Sequence, residues 1–283
     1  MQHSRRSFLL MTGACATATF SLGIPQAAAQ DQQKPKDKFP PLELGLASYS
    51  LREFNRADCI AMAKRLRLKK MCFKSMHLEM DSTDEQCRQA AEECQKSGLD
   101  LYACGVCYMN SPEEVQNTFR YAKAAGMRLI IGVPKHELLS LVDEKVKETG
   151  IGVAIHNHGP GDRLYPSPAS VLEKIADLDK RIGVCNDVGH TIRLGIDPTE
   201  SIIECGERLL DIHLKDETAP NAQGNTIVCG YGIIDFPSII RALIKINYQG
   251  VVGFEYEADA KDPMPGLAES IGHVRGVISA IKS

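Results

Sequence analysis

Eight short apolar runs, each followed by a helical pattern, set the outer limits on what this chain of 283 residues can fold into. The runs are Leu42–Ser50, Lys69–Ser75, Leu99–Tyr108, Met127–Val133, Ile151–Asn157, Arg181–Asp187, Leu209–Asp216 and Gly250–Glu257. Most are dense in Val, Ile, Leu and Cys without strict alternation, the pattern of parallel strands buried on both faces. The intervening helices have legible ends. Ser111 stands as N-cap with Pro112 at the first helical position, Glu114 placed to close a capping box and Gly126 to stop the helix. Asp197, Pro198 and Glu200 repeat the device. After the last run, Leu267, Ile271, Val274, Ile278 and Ile281 form one apolar stripe. Strand followed by helix, eight times in one domain's length, predicts a single-domain α/β fold, a (β/α)₈ TIM barrel over residues 42–283. An open doubly wound sheet is the alternative. No glycine-rich phosphate fingerprint follows the first run, where such a sheet would carry one.

The first thirty residues follow a different logic. Arg5 and Arg6 precede an apolar run, and Ala27 and Ala29 supply small residues before a cut that would leave Gln30 first. The layout predicts a cleavable export signal over residues 1–29. The string around the paired arginines resembles a twin-arginine signal, which implies the twin-arginine export machinery as a partner and a periplasmic or otherwise exported protein. Thr17, Thr19, Ser21 and Gly23 make the run weak for a permanent span, so no stable membrane span is expected in the mature chain. Residues 30–41 are polar and proline-bearing and read as a disordered leader.

Ten cysteines would suggest disulfides in an exported protein. Removing Cys15 leaves an odd number, and several of the rest lie inside apolar runs, where cysteine packs as a small hydrophobe. They read as free core thiols. Cys104 and Cys107 have metal-site spacing, but strand alternation would send them to opposite faces. A net charge of −3 argues against a nucleic-acid partner.

In a barrel of this kind the C-terminal strand ends carry the chemistry. Here they collect Lys74 and His77 after the second run, and His156, Asn157 and His158 at the fifth. Asn186, Asp187 and His190 close the sixth, His213, Lys215 and Asp216 the seventh, and Glu255 and Glu257 the eighth. His156, Asp187, His213 and Glu255 converge on the barrel axis as a mixed nitrogen and oxygen set. Such a set suits one divalent ion, Mn²⁺, Zn²⁺, Fe²⁺ or Co²⁺, rather than an all-oxygen calcium cage. Glu255, Lys74 and His158 are candidate bases. His77, Lys215 and Asn157 are candidate substrate contacts. His158 and Lys215 each have a second reading, in which they only steady the rim. His136 and His273 lie in helical stretches and read as structural.

The strings His156–Pro160, Asn186–His190, His213–Asp216 and Gly253–Glu257, in that order at strand ends, resemble the xylose-isomerase-like barrel superfamily of sugar phosphate isomerases and epimerases. The resemblance spans essentially the whole mature chain, with Asp187-Val-Gly-His190 and the final Gly253-Phe-Glu255 its most specific parts. It implies one divalent ion, commonly manganese, held by a Glu, an Asp, a His and a second Glu. Asp187, His213 and Glu255 match the last three roles, and His190 matches the histidine that meets substrate. At the fifth strand the family's epimerases carry a glutamate where this chain has His156. The change keeps a ligand but removes one carboxylate of a facing acid/base pair.

The implied activity is a metal-dependent isomerase or epimerase that abstracts a proton next to the carbonyl of a carbohydrate substrate. The loss of that carboxylate also admits a lyase or dehydratase on 3-keto-glycosides or inosose-like substrates, since elimination needs one base. A non-catalytic sugar-binding barrel is the reading from another class. The identity of the sugar and the oligomeric state are left open.

Overall fold

The computed structural model describes residues 41–283. The expected signal and nearly all of the leader therefore lie outside the described residues. Eight strands close into a parallel barrel: β1 (Glu43–Ala47), β2 (Lys70–Phe73), β3 (Asp100–Met109), β4 (Leu129–Pro134), β5 (Gly152–His156), β6 (Ile182–Asp187) and β7 (Leu209–Leu214) are seven of them. A short antiparallel pair, β8 (Asp216–Glu217) with β9 (Thr226–Ile227), follows β7, and β10 (Val251–Phe254) completes the barrel between β7 and β1. The predicted (β/α)₈ architecture is what the chain adopts, and all eight apolar runs supply a barrel strand.

The surrounding helices are α1 (Arg56–Arg65), α2 (Asp84–Lys96), α3 (Pro112–Ala124), α4 (Leu139–Thr149) and α5 (Pro168–Ile175). They continue with α6 (Val188–Ile192), α7 (Pro198–Cys205), α8 (Phe236–Lys245) and α9 (Met264–Lys282). Their starts follow local chemistry. Ser111 caps α3 by accepting from the Glu114 amide at 3.3 Å, but the Glu114 carboxylate accepts from Asn110 N at 2.6 Å rather than closing a box on Ser111. Asp197 caps α7 from the Thr199 amide at 2.8 Å. The stripe of α9 buries Leu267, Ile271 and Val274 in the core, with Ile278 and Ile281 half-buried beyond them. Among the described residues no helix is long and apolar enough to cross a membrane.

Most of the apolar core lies between the sheet and the helices. A smaller cluster of Cys72, Tyr102, Ala103, Ile131, Ala154, Cys185 and Val251 packs apart from it. Since side chains alternate along a strand, Ala154, Cys185 and Asp211 share the inward face with His156, Asp187 and His213. Small residues thus stand one layer beneath the strand-end histidines. Buried Asp211 accepts from the Tyr102 hydroxyl at 2.8 Å, and desolvation pushes its carboxyl up to about 7. The nine cysteines of the described region are all buried and unpaired. Cys104 and Cys107 depart from the expected opposite faces: both join the larger core cluster, because the β3–β4 register shifts between them.

Candidate metal and substrate site

The strand register builds the site. Asp187 on β6 lies directly beside His213 on β7, and His156 on β5 beside Cys185. Glu255 follows β10, its amide donating to Leu214 O at 3.0 Å, which extends the ladder by one residue. All four predicted ligands are buried, between 0% and 5% exposed. One donor atom from each of His156, Asp187, His213 and Glu255 falls within 4.8 Å of the other three. Three pairwise distances give the shape: His156 Nε2 to His213 Nδ1 3.1 Å, His156 Nε2 to Asp187 Oδ2 3.3 Å, and His213 Nδ1 to Glu255 Oε2 3.1 Å. Cys185 could replace the two carboxylates in a three-residue set with both histidines. Burial holds its thiol protonated, which disfavours it as a ligand.

Asp187 divides its two oxygens between structure and site. Oδ1 caps α6 by accepting from the His190 amide at 2.8 Å, which leaves Oδ2 aimed into the cluster beside His156 Nε2. His156 Nδ1 and His213 Nε2, the ring nitrogens opposite those in the cluster, are buried without hydrogen-bond partners. Lys215 completes the charge pattern. Its wholly buried Nζ lies 2.9 Å from Asp187 Oδ2, 2.8 Å from Glu255 Oε2, and against Glu257. Three carboxylates against one ammonium leave two negative charges uncompensated, the charge of one divalent ion. The residues present therefore fit such an ion in number, chemistry and charge.

Electrostatics leave His156, Asp187 and Glu255 in their ligating forms, whereas at His213 an ion would compete with a proton. Burial lowers the His156 pKa to about 3, so the imidazole is neutral and its lone pair available. Burial would also lower His213, but the charge and hydrogen bond of Glu255 outweigh it and raise its pKa. For Asp187 and Glu255 burial opposes ionisation. The first is nonetheless held well below the carboxylate range by His190 and Lys215, the second by His213 and Lys215. Burial likewise opposes the Lys215 charge, and Asp187, Glu255 and Glu257 more than restore it.

Three expected substrate contacts have their polar atoms engaged within the chain. His77 has both ring nitrogens engaged, Nδ1 with Ser48 Oγ at 2.9 Å and Nε2 with Leu51 O at 3.2 Å, and it ties the β1 and β2 loops together. Asn157 is fully buried. Its Oδ1 accepts from the Asp187 amide at 2.9 Å and its Nδ2 donates to Thr191 Oγ1 at 3.2 Å, so it orients the Asp187 loop. Lys215 is the counter-charge just described, with its ammonium among Asp187, Glu255 and Glu257.

The rim contacts are Lys74, His158 and His190. Lys74 Nζ stands 5.1 Å from the centre of the Tyr49 ring. His158 Nε2 lies 3.1 Å from the Tyr108 hydroxyl, while its Nδ1 has no hydrogen-bond partner. His190 Nε2 is 3.9 Å from Asp187 Oδ2, and its Nδ1 is likewise without a partner. The two imidazoles stand 5.9 Å apart, and burial lowers the pKa of both. Tyr108, 52% exposed and stacked on His158, and buried Glu217 belong to this rim as well. Strand-end position alone was the available signal for both. At Tyr108 the cysteine-rich run of β3 masked it, and Glu217 reads as an acid past its strand.

A family model described as xylose isomerase-like TIM barrel matches residues 39–277. The rhizopine catabolism protein MocC of Rhizobium meliloti is 27% identical over 145 residues, 46% of this chain and 44% of that protein. An inosose dehydratase of Lacticaseibacillus casei is 25% identical over 142 residues, 45% of this chain and 47% of that enzyme. These matches span less than half the length of either relative. A solved xylose isomerase domain protein from Alicyclobacillus acidocaldarius superposes with a TM-score of 0.71 at 18% identity, over 86% of this chain and all of that one, a likeness of fold.

Proposed function

The chain belongs to the xylose isomerase-like TIM barrel family, and from that premise we propose an enzyme dependent on one divalent metal ion, acting on a sugar or keto-sugar. The carrying observation is the convergence of four donor atoms from His156, Asp187, His213 and Glu255 within 4.8 Å at the C-terminal end of the barrel. Manganese is the proposed ion, on the mixed donor set. When bound, such an ion polarises a substrate carbonyl and acidifies the adjacent C–H.

The chain's own groups supply the rest. Lys215 holds Asp187 and Glu255 in place, and Asn157 fixes the loop that carries Asp187. Glu255 Oε2 is shared between Lys215 and His213. Proton transfer is assigned to His158 and His190, whose rings stand 5.9 Å apart and each keep one nitrogen without a hydrogen bond, with Lys74 as the third candidate. Tyr108 steadies the His158 ring through its hydroxyl. Isomerisation or epimerisation follows when the proton returns to the same substrate.

A second reading, elimination by a lyase or dehydratase, is favoured by one observation. His156 occupies the β5 position with an imidazole, so the site has no second carboxylate facing Glu255 across the opening. The relative named as an inosose dehydratase is consistent with it. Proton exchange from D₂O into ketohexoses and 3-keto-glycosides, followed by NMR with and without Mn²⁺, tests the proposal. Exchange that requires the metal supports it, and net loss of water or of a glycosyl group selects the second reading. Binding with no exchange on any substrate would leave a sugar-binding barrel instead.

We further propose export through the twin-arginine route, on the strength of Arg5, Arg6 and the small residues before Gln30. Replacing both arginines by lysine should strand the precursor in the cytoplasm. Unchanged export would refute the route.

A further inference from the structure

A cavity of about 400 Å³ opens beside the metal-ligand cluster, with His190, Arg193, Glu217, Asn225, Thr226 and Glu257 in its wall. It starts one side chain away from the ligands: Glu257 pairs with Lys215, which touches Asp187 and Glu255, and His190 approaches Asp187 directly. The β8–β9 hairpin forms its far side. A volume of this size accommodates one monosaccharide unit.

Two groups in this wall are unsatisfied. Glu217 is 2% exposed; its Oε1 accepts from Thr226 Oγ1 at 3.1 Å, and its buried Oε2 has no partner. Arg193 donates through one terminal nitrogen to Ala222 O at 3.1 Å, while its buried Nε has none. No ion pair joins the two, so the wall holds a separate acceptor and donor. Burial raises the Glu217 carboxyl to about 7, a measure of how little water reaches it. A carboxylate only accepts hydrogen bonds when ionised and a guanidinium only donates, whereas each hydroxyl does both. Adjacent hydroxyls of a sugar satisfy this wall. A phosphate would set its charge against Glu257, and against Glu217 wherever that carboxyl is ionised, with Arg193 the single cation in the wall.

We propose that this cavity is the specificity subsite for the uncharged, hydroxyl-bearing end of the substrate, with Glu217 and Arg193 gripping adjacent hydroxyls. The proposal rests on the metal-assisted carbohydrate reading and narrows it to non-phosphorylated substrates.

The test is calorimetric binding to the Mn²⁺-loaded protein, with D-fructose, D-tagatose and D-psicose as probes. Their 6-phosphates serve as charged counterparts, and dihydroxyacetone as a carbonyl compound lacking the distal hydroxyls. At least one ketohexose should bind more tightly than its 6-phosphate and than dihydroxyacetone. Glu217→Gln, which keeps the shape, should weaken that ketohexose about tenfold or more, the worth of a hydrogen bond to a charged group. Arg193→Met, at a half-buried position, should do the same, and circular dichroism checks that both variants fold. Neither should change dihydroxyacetone binding or the manganese content. Tighter binding of the 6-phosphates, unaltered ketohexose affinity in both variants, or no binding of any ketohexose by the Mn²⁺-loaded protein overturns the subsite. Failure to take up manganese would instead count against the metal-assisted reading itself.

Discussion

His156 separates ligand from base, and two substitutions pull those roles apart. His156→Ala removes a donor from a buried set of four, so Mn²⁺ affinity should fall by more than about a hundredfold, beyond the cost of disturbing an outer partner. His156→Glu supplies an oxygen at similar reach and should keep most of the affinity while losing native turnover. His158→Ala should spare most of the affinity, because the His158 ring packs 4.5 Å from that of His156 but adds no donor atom to the cluster. Metal titration of all three decides it: a large loss at His158 with none at His156 would transfer the ligand role. Glu217 allows a second residue-scale test through pH. Its folded pKa of about 7 lies above the ordinary 4.5, so the folded state holds a proton that the unfolded chain releases across that window. Its contribution to stability therefore declines as pH rises from about 4.5 to about 7 and is level above. Buried neutral histidines such as His156 act in the opposite sense, which is why the comparison must be between proteins. For metal-free samples, the stability of the native protein relative to Glu217→Gln should be greater near pH 5 than near pH 7.5 by urea unfolding. A difference independent of pH would show that Glu217 is not buried as described.

At the scale of elements, the short helix α6 is where sequence and site meet most tightly. Asp187 caps it, His190 sits in its first turn, and Gly189 lets the Lys215 side chain pass close by. A Cβ at Gly189 would fall 2.4 Å from Lys215 Cγ and 2.6 Å from its Cδ. Lys215 cannot retreat, because three carboxylates pin its ammonium. Gly189→Ala should therefore destabilise the fold by about 1–3 kcal/mol, the usual cost of overpacking, and weaken metal binding as Lys215 shifts. Wild-type urea stability in this variant would contradict the packing. The same element shows why strand-end residues divide unequally between site and support. His156 and Asn157 are neighbours at the end of one strand, but the turn aims the imidazole at the axis and folds the amide back onto Asp187 and Thr191. Spacing places both at the rim, and only the path of the loop separates ligand from support. His77 is the same case on β2, where Ser48 and Leu51 from the β1 loop capture its ring.

Across the whole molecule, what is local or periodic was legible and what depends on distant segments was not. Eight apolar runs gave eight barrel strands because burial on both faces leaves a continuous apolar signature. His156, Asp187, His213 and Glu255 were legible because each ends a strand of one closed sheet, which forces their ends together. Glu217 was not, since it is held by the β8–β9 hairpin, where Thr226 lies opposite it, and that pairing is not signalled by its neighbours in sequence. Cys104 and Cys107 were misplaced for a similar reason, a register shift that strict alternation does not foresee. The export route concerns residues outside the described region and stands on its own test. The central claim is that four strand ends hold one divalent ion, and elemental analysis of Mn²⁺-reconstituted native and Asp187→Asn protein after exhaustive desalting tests it most directly. The account predicts one ion per chain in the native protein and close to none in the variant, with both folded. A native protein that retains no divalent metal, or a variant that retains as much as the native, would contradict it.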